Sequence, residues 1–384
     1  MKKNMLGKTG VEVGEIGFGA EWVGEMDDAL LLKVMERMHG EGTNILDCWM
    51  SDPKDRSKLG RVLKGWRGEW LIQGHIGSTW QYGQYVRTRD LDKVKPAFDD
   101  LLMRLQTDHI DFGMVHYVDD LEDWDNLMSN GYIDYVHELK KSGTIGHVGI
   151  STHSATVGKV AAQSGEFESM MFSINAAYDM MPAISRIEDI QAEGALDAEE
   201  LASSNPERTE LYQMCEERGI GITVMKGFAG GILLDAKKSP FGVAMTPVQC
   251  ISYALDQPAV SSMMVGVKTM QQAEEALAYC NASDEERDYQ SVLSNAPKHS
   301  YRGQCTYCGH CSPCVKGIDI AMTNKLLDLA KAQDKVPESV REHYRNMSAN
   351  ADDCIACRQC ESRCPFGVAI ADKMAEASKV FAQN

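Results

Sequence analysis

The sequence has no long apolar run. No stretch of about 18 apolar residues occurs, so no membrane-spanning helix is expected. The opening MKKNMLGKTG has lysines but no apolar segment behind them, so a secretory leader is not expected. Positive charge is scarce as well: 39 Lys and Arg face 56 Asp and Glu, a formal net charge of −17. A surface of that sign repels phosphate backbones and anionic lipid, so neither nucleic acid nor a membrane is an expected partner. Without export, disulfides are not expected either, and a reducing cytoplasm is the predicted location.

Cysteine, by contrast, is abundant. Of twelve, Cys48, Cys215, Cys250 and Cys280 are scattered, and eight fall within residues 305–364. Residues 354–365 read C-x₂-C-x₂-C-x₃-C-P. Residues 305–314 read the same way with one residue fewer before the last cysteine, and Val315 follows in place of proline. Three cysteines at that spacing wrap three corners of a cubane, and a fourth arrives from farther away. By the logic of two-cluster ferredoxins the fourth cysteine of each run serves the other cluster. Cys305, Cys308, Cys311 and Cys364 are then the ligands of one [4Fe–4S] cluster. Cys354, Cys357, Cys360 and Cys314 are the ligands of the second. Zinc is the alternative, but zinc sites use two pairs rather than runs of three plus one. The stretches after each run, MTNKLLDLAKAQ among them, have helical patterns, so the tail resembles an α-helical ferredoxin. Two clusters in one small fold suit electron transfer, with a ferredoxin or flavodoxin as a candidate partner; stapling a domain that lacks a core is the alternative.

Before residue 283 the pattern changes. Eight short β-rich runs (16–22, 44–49, 70–77, 110–117, 147–153, 170–176, 221–228 and 261–267) alternate with segments of helical periodicity. Eight strands with intervening helices predict an α/β fold, a (β/α)₈ TIM barrel. MLGKTGVEVGE reads as a small hairpin ahead of it. The polar stretch 283–304 is the expected link, giving a barrel domain over 1–285 and a two-cluster domain over 286–384. Residues 183–208 carry seven acidic side chains and make a connection long enough for a lid or an interface.

The ordered pieces MLGKTGVEVGEIGFGA, NILDC, LQTDHIDFGMVH, GHVGISTH, GIGITVMKGFAGG and MMVGVKTMQQAEEAL resemble the aldo/keto reductase family, in its branch with a C-terminal ferredoxin-type domain. The resemblance covers essentially the whole chain. It implies oxidation or reduction of a small organic substrate with NADP(H). It also implies a catalytic Asp at Asp47 and a catalytic His at His116. The family's Asp-Thr-Ala-x-x-Tyr-Gly is replaced here by Asp47-Cys48-Trp49-Met50-Ser51-Asp52-Pro53, so Asp52 stands in the slot of the tyrosine acid. The family's activating lysine is replaced by His75. For the nucleotide, the resemblance points to Ser151, Thr152, Met225, Lys226, Gly266, Lys268 and Thr269, and it puts the glutamine of strand six at Met171. Lys268 is the candidate for the adenosine 2′-phosphate, beside a helix start whose N–H groups suit an anion.

The substitutions matter chemically. Hydride arrival at a carbonyl leaves an alkoxide, which needs an acid with a pKa near the working pH. An ordinary aspartate sits near 3.9 and serves only if burial raises it. Histidine needs little tuning. His75 and His116 are therefore the expected proton carriers, with Asp47 orienting His75. Asp52 stays a candidate, and Tyr82 and Tyr85 lie close enough in sequence to reach in. Trp22, Trp49, Trp80 and Tyr82 are candidates to line the mouth. Two other classes fit the same residues: epimerase, lyase or C=C reductase chemistry at this mouth, and a non-catalytic electron-transfer or redox-sensing protein.

Overall fold

The computed structural model describes residues 1–180, 205–293, 305, 311–331, 335–364 and 368–382. The acidic connection falls outside the described residues through residue 204, and so does Cys308. The chain folds as two compact units, one built mainly from residues up to Val292 and one mainly from Leu293 onward.

The first unit opens with a hairpin of β1 (Lys3–Met5) and β2 (Glu12–Gly14). Eight parallel strands then close into a barrel. They are β3 (Ile16–Gly19), β4 (Ile45–Cys48), β5 (Leu71–Ile76), β8 (Ile110–Val115), β9 (Ile145–Thr152), β10 (Ser169–Ser173), β11 (Gly221–Met225) and β12 (Val260–Gly266). These eight correspond to the eight runs read from sequence. An extra antiparallel hairpin, β6 (Ser78–Gln81) and β7 (Gln84–Arg87), stands between β5 and β8. The helices around the barrel are α1 (Asp28–Gly40), α2 (Pro53–Val62), α3 (Leu91–Leu105), α4 (Leu121–Ser129), α5 (Tyr132–Lys141), α6 (Ala155–Ser164), α7 (Pro206–Arg218), α8 (Pro247–Leu255) and α9 (Met270–Leu277).

Period-two alternation sorts the strand residues. Leu46, Cys48, Val148, Ile150, Met170 and Phe172 face outward into the main core between strands and helices. Ile45, Phe112, Met114, Met171 and Met264 face inward and pack with Leu6 and Val13 of the N-terminal hairpin. The interior is a filled core plugged at one end, as the barrel architecture requires. The same alternation carries Asp47, His75, His116, Ser151, Ser173 and Met225 onto the inner face at the C-terminal strand ends.

The second unit holds α10 (Ile320–Lys331), α11 (Glu338–Arg345) and α12 (Ile370–Ala382). Its own small core includes Cys311, Ile320, Leu327, Tyr344, Met374 and Phe381. Tyr344 stacks on Phe381 at 4.1 Å. The helices between the two cysteine runs lie where the pattern predicts them.

Candidate active site

Four side chains at the barrel mouth form one hydrogen-bonded line. Asp47 Oδ1 lies 2.8 Å from His75 Nε2. His75 Nδ1 lies 2.7 Å from His116 Nδ1. His116 Nε2 lies 2.7 Å from the Tyr85 hydroxyl. Asp47, His75 and His116 are at most 5% exposed. Burial holds the His116 imidazole well below its ordinary pKa, and His75, Arg89, Arg87 and His153 push the same way. It is therefore neutral at neutral pH. Trp49 lies parallel to the His116 ring at 6.2 Å, and Tyr85 meets both rings edge-on.

Asp52 does not join this line. It is the N-cap of α2, and its carboxylate accepts from the Lys54 N–H at 2.7 Å. A cap with proline next in the chain is what this stretch builds, so the acid expected here is a helix terminus. The phenol comes instead from β7. Tyr82 and Gly83 turn the hairpin with φ of +56° and +77°, the two-residue connection that matches strand twist. Tyr82 sits at the tip, 95% exposed, while Tyr85 points back to His116. The cue in the sequence is Tyr-Gly between two alternating four-residue runs. Trp80 pairs with Tyr85 across the hairpin.

A second carboxylate–imidazole pair lies beside the first, and the sequence reading passed over it. Asp119 accepts from the His153 backbone N–H (2.7 Å) and lies 3.0 Å from its Nδ1. It also accepts from the Thr152 hydroxyl at 3.1 Å. Tyr117, with φ of +50°, lies between the two pairs, edge-on to His116 and His153. Its carbonyl accepts from Arg87 (2.7 Å) and Arg89 (2.9 Å), which pins this left-handed residue.

In the second unit Cys314, Cys354, Cys357 and Cys360 line one pocket. The last cysteine of the first run thus stands with the first three of the second. Backbone N–H groups of Lys316 and Ala356 point at Cys314 Sγ and Cys354 Sγ, both at 3.4 Å, and Asn324 Nδ2 points at Cys305 Sγ at 3.3 Å. Such donors suit cluster thiolates, whose charge they stabilise. Among the described residues no three His, Cys, Asp or Glu stand where a single metal ion would be held. Four thiolates on four cubane corners stand wider apart than four on one zinc, so this pocket fits the cluster better.

Comparison with known proteins agrees with both units. The pattern of the Aldo/keto reductase family matches residues 11–249, and that of a 4Fe-4S dicluster domain matches residues 304–369. The chain belongs to the aldo/keto reductase family. It is 26% identical over 319 residues to the uncharacterized oxidoreductase YqkF of Bacillus subtilis, covering 79% of this chain and 99% of that one. It shares its fold with the aldo-keto reductase AKR11C1 of Bacillus halodurans (TM-score 0.59, 23% identity, 77% of this chain, 96% of that one). It does so too with an aldo-keto reductase of Pseudomonas aeruginosa (TM-score 0.55, 22% identity, 73% of this chain, 94% of that one).

In this aldo/keto reductase the positions implied for the nucleotide divide. Ser151 and Met225 are inward at the mouth. Beside them lies Ser173, whose buried hydroxyl has no hydrogen-bond partner among the described residues and suits a carboxamide. The Thr152 hydroxyl already donates to Asp119. Met171 is buried in the interior layer below the mouth rather than at it. The polar residue that follows β10 is Asn175, whose Nδ2 donates to the Lys226 carbonyl at 2.9 Å. Lys226 itself takes a left-handed backbone, φ +60°. At the end of β12, Gly266 lies against Trp22. Lys268 Nζ lies 3.6 Å over the Trp22 ring and 3.1 Å from Glu25. Thr269 caps α9, and the Lys268 N–H is taken by Gln272. The helix start is thus partly satisfied by its own side chains, and Lys268 is already paired.

Proposed function

We propose that this protein is an oxidoreductase that moves a hydride between a nicotinamide nucleotide and a small organic carbonyl or alcohol. The observation that carries it is the buried line Asp47–His75–His116, aimed at the mouth where barrel enzymes do their chemistry. NADP(H) supplies the hydride chemistry when bound. Ser151 and Ser173 are the groups that would hold its carboxamide, Met225 offers an apolar face, and Lys268 would meet the 2′-phosphate on leaving Glu25. His116 and His75 carry the proton chemistry of the site. Asp47 fixes the His75 tautomer and balances charge that arrives on the imidazoles. Trp49, parallel to His116, walls the site against water.

The tail is read as two [4Fe–4S] clusters that pass single electrons to or from a ferredoxin or flavodoxin. The pocket formed by Cys314 with Cys354, Cys357 and Cys360 supports the crossed assignment. Oxygen-sensitive clusters and an acidic surface support a cytoplasmic setting. Among the described residues no helix is long and apolar enough to cross a membrane.

Two measurements test the reading. Titrating NADPH fluorescence against anaerobically reconstituted protein is expected to give micromolar binding. Absence of binding at millimolar nucleotide would instead support an electron-transfer or sensing protein. His116→Ala and His75→Ala are each expected to lower turnover at least about tenfold, within the range for general acid–base groups. Wild-type rates in both would sink the assignment.

A further inference from the structure

The substitution at Asp52 removes the phenol from the loop after β4, yet a phenol reaches the buried imidazoles by another route. Tyr85 arrives on the β6–β7 hairpin, its hydroxyl 2.7 Å from His116 Nε2. With His75 and His116 both neutral, hydrogen bonding gives the whole line one direction. The Asp47 carboxylate accepts, so His75 carries its proton on Nε2. His75 Nδ1 then accepts, so His116 carries its proton on Nδ1. His116 Nε2 accepts in turn, and the phenol donates. With both imidazoles neutral, every bond in the line is satisfied.

The hairpin is built to hold that phenol in place. Four-residue strands are marginal alone, but these are tied to the β4–α2 loop. The Ser78 hydroxyl donates to the Trp49 carbonyl (2.5 Å), and the Ser51 hydroxyl donates to the Thr79 carbonyl (2.8 Å). The buried Arg56 guanidinium donates to the carbonyls of Met50 (2.9 Å) and Ser78 (3.3 Å). The Tyr85 ring stands edge-on to Trp49 at 5.6 Å and to His116 at 5.7 Å.

We propose that Tyr85 is the catalytic phenol of this enzyme, exchanging a proton directly with the substrate oxygen, and that His116, His75 and Asp47 form the wire behind it. The proposal rests on the oxidoreductase reading above. In the direction in which the wire is set, the substrate is an alcohol. Its O–H bond breaks and the proton goes to the Tyr85 oxygen. The phenol's own proton passes to His116 Nε2 and the His116 Nδ1 proton to His75 Nδ1, leaving a His75 imidazolium paired with the Asp47 carboxylate. The carbinol C–H bond breaks as its hydride leaves to a nicotinamide nucleotide, and the carbon becomes a carbonyl. Carbonyl reduction runs the same transfers backward, from the His75 imidazolium outward. A neutral His116 suits this role, because it passes a proton on rather than storing charge.

The test uses the full chain with its clusters reconstituted anaerobically, as wild type, Tyr85→Phe and Tyr82→Phe. Tyr85→Phe keeps both ring contacts and removes only the oxygen. Turnover is read on a panel of small aldehydes, ketones and alcohols with NADP(H), nucleotide affinity by fluorescence, and the His116 ring nitrogens by ¹⁵N NMR. The expected result is a loss of at least about a hundredfold in kcat for Tyr85→Phe. Nucleotide affinity should stay within twofold of wild type and the His116 Nε2 resonance should move. Tyr82→Phe should match wild type. Turnover of Tyr85→Phe within threefold of wild type would overturn the proposal alone. An equal fall in nucleotide affinity would make Tyr85 structural and overturn it too. A wild-type protein that binds no nucleotide and turns over nothing on the panel would overturn the oxidoreductase reading, and this proposal with it.

Discussion

At the scale of single residues, the informative contrast is between two aspartates five positions apart. Asp47 lies on the inner face of β4, 3% exposed, and bonds to His75. Asp52 lies past the end of the strand and spends its carboxylate on a helix N-terminus. The family resemblance singled out both, Asp47 as the catalytic aspartate that orients His75 and Asp52 in the slot of the tyrosine acid. Their separation follows from strand alternation and from where the chain turns into α2. A cap needs an acceptor, not a charge, so asparagine serves as well as aspartate. Asp52→Asn is therefore expected to leave both turnover and unfolding near wild type. Asp52→Ala is expected to cost about 0.5–2 kcal/mol in urea unfolding with little change in turnover per folded molecule. A large fall in turnover for Asp52→Asn would return Asp52 to the catalytic set.

At the scale of elements, the β6–β7 hairpin is the feature that the sequence showed least clearly. Its strands are short, and their alternation is easily read as loop. Its position depends on the junction at Gly77, which has φ of +96°. A Cβ there would meet the Tyr132 hydroxyl at 2.7 Å and an Arg89 nitrogen at 3.0 Å. The Tyr132 hydroxyl is itself held by the Ile76 carbonyl at 2.6 Å, so it has little room to yield. Gly77→Ala is expected to cost about 1–3 kcal/mol, seen as a lower urea midpoint, and to lower turnover by displacing Tyr85. An unchanged midpoint would show that the junction tolerates a side chain.

At the scale of the whole molecule, the barrel and the cysteine-rich tail are separate compact units with separate cores. Each can be tested for itself. If Cys314 belongs with Cys354, Cys357 and Cys360, then Cys314→Ala and Cys357→Ala attack the same cluster. Each is expected to remove about half of the iron and sulfide found by chemical analysis, and the double variant no more. Loss of both clusters in the double variant would restore the uncrossed arrangement. Cys48, buried in the barrel wall, belongs to neither set: desolvation raises its thiol to about 12, so it behaves as a small apolar side chain.

The sequence by itself determined the eight-stranded barrel, because each strand is a short apolar run bounded by a helix of different period. It marked the 4Fe-4S domain and the eight candidate ligands in it, because cubane geometry demands a particular local spacing. It also placed Asp47, His75 and His116 at strand ends, where alternation leaves only two directions for a side chain. Tertiary structure alone decided what those groups touch. The line from Asp47 to Tyr85 joins side chains from four segments of the chain, and no local pattern encodes a contact of that kind. Packing likewise decided that Thr152 serves Asp119, that Lys268 rests on Trp22 and Glu25, and that Met171 lies in the interior. Each depends on which side chain meets another across the closed barrel, and closure is a property of all eight strands together.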